Sequence, residues 1–180
     1  MTNQTAPERA GAITFKGQPM TLLGPELNAG EPAPAFHLTG AGLSDETLDT
    51  ITDGGKRAAL LIVVPSLDTG VCSLESKTFN ARIAELGSGV AAYVVSLDLP
   101  FAMGRWAAAE GEVKLGMLSD YRTHEFGYAY GVRIKELGLL ARTIFVIGKD
   151  KTVKYVERVP EVTDQPSYDA TIAAAKAAGQ

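Results

Sequence analysis

The sequence predicts an α/β fold, with a mixed central sheet flanked by helices on both faces and a β-hairpin at the N-terminus. Three observations predict it. Continuous apolar runs read as strands buried on both faces, helical patterns alternate with them, and a late pair of β-prone runs is joined by a turn. Residues 1–11 are polar with Pro and Gly and are expected to form a flexible tail, followed by a single domain over 12–180.

Each element has its own signal. In "AITFKGQPMTLL" two β-prone runs stand either side of Lys16-Gly17-Gln18-Pro19, the pattern of a hairpin. The turn-rich stretch that follows leaves room for one short strand at Phe36–Thr39. "KRAALLIVVPSL" is an unbroken apolar run stopped by Pro65, as expected of a central strand. In "TGVCSLESKTFNARIAELG" the residues Val71, Leu74, Phe79, Ile83 and Leu86 fall near one helical face, and Gly87 can close the helix. "GVAAYVVSLD" is a second buried strand, and Pro100 opens a helix over Phe101–Glu110. "LGMLSD" gives a third strand, with a helix expected around Arg122–Tyr130. "ARTIFVIGKDKTVKYVERV" reads as a hairpin turning at Gly148-Lys149-Asp150, and "PSYDATIAAAKAAG" as a terminal helix.

Composition narrows the function. The formal net charge of −4 and the lack of a basic run argue against a nucleic-acid partner. The longest apolar run, Ala58–Pro65, is too short for a bilayer, and the N-terminus lacks the charged and apolar regions of a secretory signal. The chain has one cysteine, Cys72, which cannot form an internal disulfide and suits a reducing, cytoplasmic compartment.

Cys72 falls in the first turn of a helix that follows a buried strand. There the unpaired amides and the positive end of the helix dipole favour an anion, and Asp68 or Thr69 can cap the helix. A thiol so placed is drawn toward the reactive thiolate. A buried cysteine can equally be an inert packing residue. No C-x-x-C is present for dithiol exchange, and one Cys with His37 and His124 does not make a zinc tetrad. A Cys–His hydrolase with His124 as base stays open at this point.

Pro65, Thr69 and Cys72 in "PSLDTGVC" fit the peroxiredoxin pattern P-x-x-x-T/S-x-x-C. Around them "ITFKGQPMTLLG", "GEPAPAFHLT", "SLDLPFAMGRW", "AAEG", "YGV", "GLLARTIFVIG" and "PSYDATI" occur in the order that resembles the thiol peroxidase branch of that family. The resemblance runs from about Ile13 nearly to the end. It implies a thioredoxin-like fold and reduction of hydrogen peroxide and organic hydroperoxides through a sulfenic acid at Cys72. It implies no cofactor and no metal, with a homodimeric assembly and thioredoxin or another thiol as reductant. By position, Cys72 corresponds to the peroxide-attacking cysteine and Thr69 to its hydroxyl neighbour. Pro65 corresponds to the proline shielding the pocket, and Arg142 to an arginine brought beside the sulfur from a distant strand.

The chain departs from that branch at one place. Where most members of this branch carry R-F-C-x-A-E-G with a resolving cysteine, this chain reads "RWAAAEG", with Ala107 at the cysteine position. Recycling is therefore expected through an outside thiol. A non-enzymatic redox sensor of the same fold is the alternative that this departure raises. Ionisation alone cannot explain peroxidase rates, because a free thiol is already a few per cent ionised at pH 7 and complete ionisation gains only about thirtyfold. The remainder is expected from donors aimed at the reacting oxygens, with Arg142, Thr69 and the Cys72 amide as candidates.

Overall fold

A computed structural model describes residues 6–180. β1 (Glu8–Phe15) and β2 (Gln18–Leu23) form the N-terminal hairpin, followed by β3 (Leu38–Thr39), β4 (Asp45–Glu46) and the short α1 (Leu48–Ile51). Then come β5 (Ala58–Val63), α2 (Gly70–Arg82), β6 (Val90–Ser96), α3 (Pro100–Glu110), β7 (Gly116–Ser119) and α4 (Glu125–Ala129). β8 (Arg133–Ile134), β9 (Thr143–Ile147), β10 (Val153–Arg158) and α5 (Tyr168–Gly179) complete the chain.

The main sheet has seven strands in the order β10-β9-β5-β6-β7-β3-β4. β5, β6 and β7 run parallel, while β9 lies antiparallel to β5 and β10 antiparallel to β9. Residues on successive positions of a strand point to opposite faces, and β5 shows this directly. Ala59, Leu61 and Val63 join a core with Phe36, Phe126 and Phe145, whereas Leu60 and Ile62 join the opposite core with Phe79, Met103 and Ile172. Every residue of β5 and β9 is buried, which is why these segments read as continuous apolar runs. The mixed sheet with helices on both faces is the predicted class. The hairpin extends into a three-stranded sheet by pairing β2 with β8.

Three expectations need correction. The tail predicted over 1–11 is too long, because Glu8–Gly11 belong to β1; a register shift between Arg9 and Ile13 accommodates the small residues there, and Arg9 donates to Gly24 O at 3.2 Å. Residues 1–5 of that predicted tail lie outside the described residues. The helix expected over Arg122–Tyr130 is shorter, since His124 has φ +58° and α4 begins only after it. The inward face of α2 is also rotated from the predicted one. Leu74 is 57% exposed, and Cys72, Glu75, Ser76 and Phe79 turn toward the core instead.

Candidate active site

The chain leaves β5 at Val63, passes Pro65 and enters α2 with Thr69 as its first flanking residue. Cys72 stands in the opening turn of the helix and is 1% exposed. The amides of this turn have no partner within the helix. Thr69 does not cap them: its hydroxyl donates back to Ser66 O at 3.0 Å, and its amide reaches the same carbonyl at 3.1 Å. This corrects the capping role expected of it. With its proton engaged, the Thr69 hydroxyl can only accept from a further partner. Ser66 is fixed in turn by Asp98, whose carboxylate accepts from Ser66 Oγ at 2.7 Å and from the Leu67 amide at 2.8 Å.

Arg142 arrives from the other side. Val63 pairs with Thr143 across β5 and β9, so the residue before β9 lies beside the point where the chain leaves β5 for α2. Arg142 is 1% exposed, donates from Nη2 to Cys72 Sγ at 3.2 Å, and donates from Nε to Val162 O at 3.0 Å. Its Nη1 donates to the carboxylate of Glu75, which has no exposed surface. An isolated charge at such depth would cost several kcal/mol, and Glu75 supplies the counter-charge. Burial pushes the Glu75 carboxyl up to about 7, against the pull of the Arg142 guanidinium.

Sequence reasoning missed Glu75. Its signal was the i, i+3 spacing from Cys72, which sets both side chains on one helical face. The sequence reading set Leu74 on the inward face with Phe79 and gave Glu75 no place there.

Pro65, Thr69, Cys72 and Arg142, the four residues proposed from the sequence, line one cavity of about 330 Å³. The tip of the β1–β2 hairpin contributes Phe15 and Lys16, and Leu137, Leu139 and Val162 complete mainly apolar walls above a polar floor. His124 does not line this cavity, so the Cys–His arrangement is not formed. His37 instead lies 3.2 Å from Asp45 on the surface. Among the described residues no cluster of three or more His, Cys, Asp or Glu could hold a metal, and no helix is long and apolar enough to cross a membrane. Trp106 donates to Ser73 Oγ at 3.0 Å and joins α3 to the turn of α2 that holds Cys72, while Ala107 is partly buried against the same core.

A sulfur at the point where a central strand hands over to a helix, on a sheet of this topology, defines a thioredoxin-like peroxiredoxin architecture. The chain belongs to the Redoxin family, whose model matches residues 28–172. It is 50% identical to a thiol peroxidase of Halalkalibacterium halodurans over 167 residues, covering 93% of this chain and 98% of that protein. It is 46% identical to a thiol peroxidase of Bacillus subtilis over 92% of this chain and 96% of that one. A crystal structure of a peroxiredoxin-like protein from Aquifex aeolicus superposes with a TM-score of 0.84 at 38% identity, covering 93% of this chain and 97% of that chain. The likeness to the thiol peroxidase branch read from the sequence therefore holds, and the chain is a thiol-dependent peroxidase of the peroxiredoxin type. The non-enzymatic sensor is not favoured.

Proposed function

We propose that Cys72 is the residue that attacks peroxide, with hydrogen peroxide and small organic hydroperoxides as substrates. The thiolate sulfur forms a bond to one oxygen, the O–O bond breaks, and the second oxygen leaves with a proton as water or alcohol. Cys72 is left as a sulfenic acid. The observation that carries this reading is the 3.2 Å contact between Arg142 Nη2 and Cys72 Sγ at the floor of the cavity.

Arg142 stays charged throughout and presents fixed donors to the oxygen on which charge develops. Thr69, holding its own proton on Ser66, accepts from the peroxide O–H and selects its orientation. Pro65 closes one side of the cavity against water. With a single cysteine in the chain, the sulfenic acid condenses with an external thiol to a mixed disulfide, releasing water. A second external thiolate attacks that disulfide, freeing Cys72 as thiolate and leaving the two outside sulfurs joined as a disulfide. Thioredoxin or another cellular thiol fills that role, in the cytoplasm, where a lone thiol is stable.

We also place the protein in a homodimer. The support is the exposure of Leu99 and Phe101, 50% and 70%, at the start of α3, where a second copy of the chain would cover them.

Whole-chain mass spectrometry after one equivalent of peroxide tests the reading. It should show one added oxygen per chain, mapped to Cys72, and its removal by the competent reductant. Oxidation elsewhere, or a rate no faster than that of free cysteine, would refute it.

A further inference from the structure

The tip of the β1–β2 hairpin lines the cavity with Phe15 and Lys16, and one carboxylate binds the amides of its turn. Glu161 accepts from the Lys16 amide at 3.0 Å, the Gly17 amide at 3.0 Å and Thr14 Oγ1 at 2.8 Å. Its own position is set by the Thr163 amide at 3.1 Å and the Thr163 hydroxyl at 2.8 Å. Lys16 and Gly17 have φ of +50° and +76°, the paired left-handed conformation of a tight hairpin turn, and a lysine enters that region at a cost. The turn's amides point outward from such a geometry, and Glu161 is what receives them.

We propose that Glu161 is a specificity-determining residue, which by clasping the hairpin tip fixes Phe15 and Lys16 as the wall that contacts the organic substituent of a hydroperoxide. This rests on the reading of Cys72 as the peroxide-attacking residue. The O–O group has to sit against Cys72, and an organic substituent then has the rest of the cavity lining to occupy, Phe15 and Lys16 of the hairpin tip among it. The strand just before the tip is also held by backbone bonds that do not involve the Glu161 side chain, Thr14 N to Pro160 O at 2.7 Å and Val162 N to Thr14 O at 2.9 Å, so Arg142 keeps its bond to Val162 O when Glu161 is replaced. The amide bonds, led by that from Gly17, hold the Glu161 carboxyl down to about 2, so the clasp is charged at any working pH.

The test compares the second-order rate constants of the full chain and of Glu161→Ala and Glu161→Gln for hydrogen peroxide and cumene hydroperoxide. In Glu161→Ala the cumene rate should fall about tenfold, the scale on which a lost apolar wall contact discriminates, with the hydrogen peroxide rate within about twofold. Glu161→Gln, which keeps one oxygen acceptor, should lie between and serves if the alanine variant folds poorly. Amide hydrogen exchange at Lys16 and Gly17 should speed up in both variants. An equal loss on both peroxides, no loss on either, or unchanged exchange at the two amides overturns the role of Glu161. A wild-type chain inert toward both peroxides would instead remove the reading of Cys72, and this proposal with it.

Discussion

Arg142 and Glu75 form an ion pair sealed from solvent, and the same guanidinium donates to the Cys72 sulfur at 3.2 Å. Two carriers of charge that would each be costly to bury alone are thereby made into a fixed electrostatic frame. Asp98 does the equivalent for the other side of the sulfur, since its bonds to Ser66 and Leu67 fix the turn that carries Thr69. A reacting group held by such a frame needs little reorganisation as charge moves to the leaving oxygen.

The frame predicts the behaviour of Arg142→Lys. Lysine keeps a charge for Glu75 but has no planar fork to serve sulfur and carboxylate together. Removal of one donor aimed at a developing oxyanion typically costs about 10²–10³ in rate. Stopped-flow oxidation of Cys72 should therefore slow about a hundredfold in Arg142→Lys while the fold, read by circular dichroism, is retained. Arg142→Ala should additionally lose about 3–5 kcal/mol in urea unfolding at pH 8, where Glu75 is ionised in the wild type and would be left buried and unpaired. Undiminished oxidation by the lysine variant would remove Arg142 from the chemistry.

Glu75 predicts a pH dependence of stability. Its carboxyl sits at about 7 in the fold, lifted from 4.5 by burial. The folded chain therefore binds more protons than the unfolded chain between these values. The corresponding stability is complete below about pH 4.5 and is lost as pH rises through about 7. Urea midpoints at pH 5 and pH 8 should show this decline in the wild type and a smaller one in Glu75→Gln, which titrates at neither pH. Identical declines would show that another group is responsible.

Much of this frame is legible in the amino-acid sequence. The apolar runs of β5 and β9 betray burial on both sheet faces, and Pro65, Thr69 and Cys72 lie within eight letters of one another. Arg142 lies seventy residues from Cys72, and only the antiparallel pairing of Val63 with Thr143 explains how they meet. From the residues alone it was an arginine before a strand; the family resemblance supplied its place. Glu75 was hidden for a different reason. A helix whose inward face carries Cys, Glu and Ser beside Phe79 defeats any rule that turns apolar side chains inward, and that rule places Leu74 in the core. The hydroxyl of Thr69 is legible as a polar group at the helix start, but its turn back to Ser66 depends on Asp98, which lies just beyond the end of β6.

The alanine at position 107 leads to a last prediction, about what excess peroxide does. In a chain with a second thiol, a sulfenic acid can be captured internally as a disulfide before another peroxide reaches it. Here no internal thiol exists, and the bond from Trp106 to Ser73 holds α3 against the helix that carries the sulfur. Capture of the sulfenic acid thus depends on the concentration of outside thiol. Without thiol, the first equivalent of peroxide should take Cys72 to the sulfenic acid in the fast phase, with no turnover beyond it. A further excess should convert Cys72 to the sulfinic acid, which thiols do not reverse. Peroxide titration followed by mass spectrometry and recovery with dithiothreitol checks this directly. Recovery should be complete at one equivalent and should fall progressively with larger excess, and adding thiol before the excess should protect. Full recovery after prolonged excess would mean that the oxidised sulfur is shielded from a second peroxide, and that the cavity closes once Cys72 has reacted.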